Sequence, residues 1–214
     1  IEVLREWAWQ TQEVVSTLKI GLETFYRNGA DAIEVVRESG CDLFLDVKLH
    51  DIPNTVAGAA AALSRHAPKY LTVHASGGPD MVRAACQELP ETLVAAVTVL
   101  TSLDDQVLAE VGICTPAQDT VLRQAASSVA AGARAIVCSP HEVARVRAEV
   151  GGGIILITPG VRPAESVSSD QRRVLTPKEA LNSGADLLVI GRPITGSPNV
   201  KEAADAIARE MGAA

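Results

Sequence analysis

The chain of 214 residues is 47% hydrophobic and 21% charged, a balance that suits one α/β domain able to bury a sizeable core without disulfides or metals. Nineteen Lys and Arg against 26 Asp and Glu leave a net charge of −7, which argues against a nucleic-acid or anionic-membrane surface, since both need a net basic face. No apolar run approaches the roughly 18 residues of a membrane span, and no signal peptide is evident.

Aromatic residues make up only 3%, so the core must be built from Ala, Val, Leu and Ile. Cys41, Cys86, Cys114 and Cys138 are dispersed and form no CxxC pair. They are expected as reduced, buried thiols of a cytoplasmic protein rather than as zinc ligands.

A helical segment, "EVLREWAWQTQE", opens the chain. Short β-rich runs then alternate with helical stretches. The runs are "VSTLKI" (15–20), "LFLDVKL" (43–49), "YLTVHA" (70–75), "LVAAVTVL" (93–100), "ARAIVCS" (133–139), "IILITPG" (154–160) and "DLLVIG" (186–191). Each is nearly continuous in apolar residues, as a strand buried on both faces requires. Helices are predicted at "NTVAGAAAALSRHA", "DMVRAACQEL", "PAQDTVLRQAASSVAAG", "HEVARVRAEV", "TPKEALNSG" and "NVKEAADAIAREM". Pro79-Asp80 and Thr176-Pro177 supply start signals, and Gly40, Gly132 and Gly184 supply stops.

Strand–helix alternation specifies a parallel sheet. Seven strands would fit a doubly wound open sheet, whereas a (β/α)₈ barrel needs eight. The opening helix has the place of one that follows a first strand. The expected fold is therefore a single domain, residues 1–214, forming a (β/α)₈ TIM barrel whose first strand is absent from a chain that begins at Ile1.

The run "DLFLDVKLHDIPNTV" (42–56) begins as a buried strand yet carries Asp46, Lys48, His50 and Asp51 at its end. Strand alternation puts Asp46 and Lys48 on one face, at the end where barrel enzymes place catalytic groups. Lys19, at the end of the preceding strand, is expected beside Asp46. Lys19, Asp46, Lys48 and Asp51 then make an alternating row of charge. Two readings stand: a salt bridge plugging the barrel mouth, or a site completed by a charged substrate.

The last two strand ends read "ITPGVRP" and "VIGRPITG". Gly160 and Gly191 let backbone N–H groups approach an anion, and Arg162 and Arg192 add forked donors suited to phosphate. Loop arginines in surface ion pairs are the alternative. Between these ends, "VRPAESVSSDQRRVL" suits either a lid, with Gln171 reaching the phosphate, or an ordinary solvated loop. Thr101, in "VLTS", ends another strand and is either a donor to a base or ribose or a satisfied core hydroxyl. His50 and His74 stand at strand ends, whereas His66 and His141 read as surface or capping residues. No spacing suggests a metal centre.

"FLDVKLHDIPNTV" resembles the D-x-K-x-x-D-I-P-N-T signature of the orotidine 5′-phosphate decarboxylase family, in its bacterial stand-alone form. "LKIGLE", "VHASGG", "AVTVLTS", "VCSPHE", "TPGVRP", "DQRRV" and "VIGRPIT" follow in the family's order, so the resemblance covers essentially the whole chain. D-x-K-x-x-D alone is shared with sugar-phosphate decarboxylases and synthases; the continuation Ile52-Pro53-Asn54-Thr55 is more specific.

The resemblance implies a homodimeric (β/α)₈ barrel, free of metal and cofactor, that makes UMP and CO₂ from orotidine 5′-monophosphate (OMP) in de novo pyrimidine biosynthesis. Carried over by motif, Lys48 is the proton donor to C6, with Asp46 and Lys19 completing the charged row. Asp51 and Thr55 reach into the partner subunit's site, and Ile52 is a further substrate-binding position. Thr101 contacts the pyrimidine, and Arg162, Gln171, Gly191 and Arg192 hold the phosphate. The family's first strand ends in a ribose-binding aspartate within "ALD", which residues upstream of Ile1 are expected to supply. Two other readings remain: a related sugar-phosphate lyase, expected to use Mg²⁺, or an inactive nucleotide-binding paralogue.

Overall fold

The computed structural model describes residues 1–163 and 175–212. Helix α1 (Glu2–Thr11) leads into strand β1 (Thr17–Gly21), then α2 (Leu22–Asn28) and α3 (Ala30–Ser39). Strand β2 (Asp42–Leu49), α4 (Pro53–Ser64), β3 (Tyr70–His74) and α5 (Pro79–Glu88) follow. The middle of the chain holds β4 (Leu93–Val97), α6 (Asp105–Glu110), α7 (Ala117–Ala130), β5 (Ala135–Val137) and α8 (Val143–Val150). It closes with β6 (Ile155–Pro159), α9 (Pro177–Asn182), β7 (Leu187–Val189), α10 (Arg192–Thr195) and α11 (Val200–Met211).

All seven expected strands form, pair in parallel and lie in the order β1-β2-β3-β4-β5-β6-β7. The segment between Gly21 and Gly40, for which only the Gly40 stop was read from sequence, folds as two helices. Gly29, with φ 55°, breaks them apart, and Gly40, with φ 76°, ends the second. Thr176 and Glu179 close a reciprocal capping box at the start of α9, so the Thr176-Pro177 start signal is borne out.

Alternation along the strands divides the core in two. One set of residues, among them Leu45, Leu71, Val94, Ile136 and Leu156, packs outward against helix residues such as Ile33, Val36, Val121 and Val146. The opposite set, Phe44, Tyr70, Ala95, Ala135 and Ile157, meets on the inner face together with Leu187 and Val189 of β7. Side chains from β2 through β7 can converge this way only if the sheet curls on itself. Burying each Val, Leu, Ile or Phe side chain contributes about 1.5–3 kcal/mol, so both faces of the sheet are held by apolar packing.

The outcome is an α/β fold with a curled, seven-stranded parallel sheet whose edges, among the described residues, are β1 and β7. Helix α1 packs against both α3 and α11, and so joins the first and last parts of the helical layer. No helix among the described residues is long and apolar enough to cross a membrane.

Candidate active site

The inner face changes character at the C-terminal end of β2. Asp46 continues the inward set begun by Phe44 but is a carboxylate only 9% exposed. An unpaired charge there would be costly, so its partners must be accounted for. The Lys48 ammonium donates to its Oδ1 at 2.7 Å, and the Lys19 ammonium stands 3.0 Å from its Oδ2. The Thr72 hydroxyl of β3, itself 1% exposed, donates to Oδ1 at 3.0 Å.

Lys19 reaches this point because β1 and β2 run in register, with Gly21 opposite Asp46. Gly21 carries no side chain where a Cβ would come within 3.2 Å of the Lys19 ammonium. The expected neighbour relation between Lys19 and Asp46 is borne out, and the missing Cβ leaves room for it.

Simple strand alternation explains the Asp46–Lys48 pair only in part. From the pairing Leu45↔Leu71 to the next, Leu49↔Val73, β2 spends more residues than β3, so the ladder is interrupted. Within this interruption Lys48 has φ 47°, in the left-handed region. Its N–H turns to the Thr72 hydroxyl, which accepts it at 2.8 Å. The aim of the Lys48 side chain is thus set by a bulge and a cross-strand threonine.

Burial works to raise the pKa of Asp46, but the neighbouring Lys19 and Lys48 ammoniums and their hydrogen bonds outweigh it and hold the carboxyl below its ordinary 3.8. Asp46 is therefore an anion between two cations. Beyond it, the His50 and His74 rings pack with centroids 5.2 Å apart. Gly77 underlies this pair: a Cβ there would collide with the Met81 thioether and come within 3.1 Å of the His50 ring. Burial, then His50 and Lys48, push the His74 imidazole below 6.5, with Asp46 opposing.

The second group of expected residues lies on the loops after β6 and β7. Gly160 has φ 80°, and the space around both Gly160 and Gly191 is open. Arg162 is half-buried, with its N–H bonded to the Leu175 carbonyl. Gly191 precedes α10 and Arg192 is its first residue, exposed at the surface. Neither guanidinium enters an ion pair among the described residues. Gln171 and the rest of the expected lid, 164–174, lie outside the described residues.

Three expectations are corrected. Asp51 does not join the charged row within its own chain: it is exposed, and its carboxylate accepts the Ile52 N–H at 2.7 Å. Thr101 does not end a strand, because β4 stops at Val97 and Thr101 sits in an exposed turn beyond it. Beyond the last β4–β5 pair, Val97↔Val137, the Thr98 N–H and hydroxyl both donate to the Val137 carbonyl, at 3.2 and 2.8 Å. The cysteines are free, as expected, but not uniformly buried: Cys114 is exposed. Cys86 and Cys138 fit the expectation better, with burial pushing their thiols to about 11 and about 12.

A cavity of about 360 Å³ opens elsewhere, at the N-terminal ends of β2 to β4, where Asp42, Lys69 and Thr92 line it. It gathers no buried, paired charge, in contrast to the Asp46 cluster. Among the described residues no group of three or more His, Cys, Asp or Glu could hold a metal ion.

Residues 2–207 match the family model described as Orotidine 5′-phosphate decarboxylase / HUMPS family. The chain belongs to this family. A relative from Thermobifida fusca, named orotidine 5′-phosphate decarboxylase, is 58% identical over 212 residues, covering 99% of this chain and 91% of its own. Among solved structures, orotidine 5′-phosphate decarboxylase from Lactobacillus acidophilus superposes with a TM-score of 0.80 at 38% identity, over 90% of this chain and 85% of its own. The Pyrococcus horikoshii enzyme of the same name superposes with a TM-score of 0.82 at 25% identity, over 99% and 94%.

Within the orotidine 5′-phosphate decarboxylase / HUMPS family signature of this chain, Asp46 and Lys48 meet, and Lys19 joins them from β1. Thr72 is the member of the cluster that sequence reading missed. The available signal was a hydroxyl among apolar residues in "YLTVHA", on the same strand face as Tyr70.

Proposed function

We propose that this chain decarboxylates OMP to UMP and CO₂ in de novo pyrimidine biosynthesis, without metal or cofactor. One observation carries the reading: a buried carboxylate held between two ammonium groups at the C-terminal ends of adjacent parallel strands. The family match and the names of the relatives support it.

The chemistry follows from charge. Breaking the bond between C6 and the carboxylate leaves an electron pair on a ring carbon that has no cofactor to receive it. Lys48 lies where that charge develops and gives its proton to C6, leaving a neutral amine that solvent reprotonates. Asp46 faces the substrate carboxylate; their repulsion is relieved as neutral CO₂ departs, and its hydrogen bond to the Lys48 ammonium holds that group in place beforehand. Two unit charges ~4 Å apart interact by roughly 4 kcal/mol at an effective dielectric of 20. Demanding enzymatic accelerations require about 20 kcal/mol, so remote binding energy must contribute. Arg162, Gly191 and Arg192 supply it by holding the phosphate, with Gln171 added by motif alone, and Thr101 contacts the pyrimidine from its turn.

Residues 1–214 form one catalytic domain in this reading, a (β/α)₈ barrel of which the chain carries seven strands. The curled sheet and the packing of α1 against both α3 and α11 favour it, because the helical layer meets where β1 and β7 remain edges. The working form is a homodimer in which Asp51 and Thr55 reach the partner's site. Both are exposed, as is Ile52, a substrate-binding position in this reading. Free cysteines suit a cytoplasmic location.

Loss of OMP absorbance in the presence of EDTA tests the function. Turnover that survives chelation is expected. Turnover restored only by Mg²⁺ would point to the sugar-phosphate lyases, and UMP binding without any turnover to a nucleotide-binding paralogue.

A further inference from the structure

We infer that Thr72 is a positioning residue for the reaction, setting through one hydroxyl both the backbone of Lys48 and the orientation of the Asp46 carboxylate. The inference rests on the decarboxylase reading for its kinetic consequence but not for its structural one.

The hydroxyl has a single proton. The Lys48 N–H points at the Thr72 oxygen from 2.8 Å, so the oxygen must accept there. Its proton is then left for Asp46 Oδ1, 3.0 Å away, the oxygen that also receives the Lys48 ammonium at 2.7 Å. A closed ring results: backbone of Lys48, hydroxyl of Thr72, carboxylate of Asp46, ammonium of Lys48. Each member fixes the next.

The ring compensates for the interrupted ladder between β2 and β3. With φ 47°, Lys48 sits in a conformation that L residues adopt only when their surroundings hold them there. Its N–H no longer serves the regular β2–β3 ladder, and an unpaired buried N–H carries a penalty. Thr72, 1% exposed and reached from the neighbouring strand, supplies the acceptor. Its β-branched side chain has few rotamers, so the acceptor is held in place. Valine would fill the same space without the oxygen.

Thr72→Val and Thr72→Ser separate the hydroxyl from the shape. In Thr72→Val, turnover of OMP should fall on the order of 10- to 100-fold, as loss of a hydrogen bond to a charged group produces, with KM little changed. Thr72→Ser should recover most of that loss. A second readout needs no substrate: the Asp46 carboxyl followed by ¹³C NMR in the ligand-free protein, assigned with Asp46→Asn. Its titration should move upward in Thr72→Val and return in Thr72→Ser. Equal turnover and an unmoved carboxyl in Thr72→Val would overturn the proposal, as would a serine variant as impaired as the valine one. If Thr72→Val does not fold, Thr72→Ala against Thr72→Ser makes the same comparison. If the unmodified protein does not turn over OMP, the decarboxylase reading fails while the carboxyl titration still decides the role of Thr72.

Discussion

The Lys48 ammonium lies 2.7 Å from Asp46 Oδ1 even though Lys48 stands in a left-handed backbone conformation inside an interrupted strand ladder. A pairing that a regular strand would have produced by alternation alone is here made through a strained residue. Such strain is kept where the position of a side chain matters more than local backbone energy.

The first consequence concerns Lys48 itself. In the proposed mechanism, Lys48→Ala removes both the cation beside the developing charge and the proton for C6. Turnover should drop by about 10⁴-fold or more, since general acid and electrostatic contributions are lost together. A UMP-like ligand should still bind, as measured by calorimetry. Retained turnover would remove Lys48 from the proton-donor role.

Arg192 makes a contrasting case. It opens α10 next to Gly191, remote in sequence from the charged row, and pairs with no carboxylate among the described residues. Arg192→Ala should raise KM by roughly 10- to 100-fold, the worth of a charge-assisted hydrogen bond to phosphate. An unchanged KM in steady-state kinetics would speak against a phosphate grip at this loop.

Among the described residues Asp51 has no cationic partner, and its carboxylate accepts the N–H of the adjacent Ile52. If it serves the partner's site, Lys48→Ala and Asp51→Ala proteins should each be inactive alone. Mixed and allowed to exchange, they should recover about a quarter of the wild-type rate, because half the dimers are mixed and each mixed dimer holds one intact site. No recovery after demonstrated exchange would place Asp51 outside a shared site.

Acid stability supplies a fourth check. Burial, His50 and Lys48 lower the His74 pKa below 6.5, with Asp46 the one opposing neighbour. Below pH 6.5 the unfolded chain therefore binds a proton that the folded chain refuses, and stability falls as pH drops toward the lowered value. His74→Gln should flatten the pH dependence of the urea midpoint between neutral pH and pH ~5.5, relative to wild type. His66, whose pKa is lowered as well, remains in both proteins. Equal slopes would mean that His74 is protonated as easily in the folded state as in the unfolded one.

The sequence alone determined the alternation of strand and helix, the parallel sheet, the stops at Gly40, Gly132 and Gly184, and the meeting of Lys19 with Asp46. These depend on the periodicity of apolar residues and on which residue types tolerate a turn, both local properties of the chain. The tertiary structure decided what depends on a neighbouring strand. Thr72 lies 26 residues from Asp46, and nothing local to "YLTVHA" says that its hydroxyl will face a carboxylate. The bulge at Lys48 arises from the mismatch of β2 with β3, which periodicity within β2 cannot express. Thr101 depends on a neighbouring strand in the same way: "LVAAVTVL" continues the strand pattern to Leu100, yet β4 pairs with β5 only as far as Val97↔Val137, so the strand ends before the apolar run does. Apolar pattern reports which face a residue seeks; hydrogen-bond partners across the sheet decide where the backbone may turn.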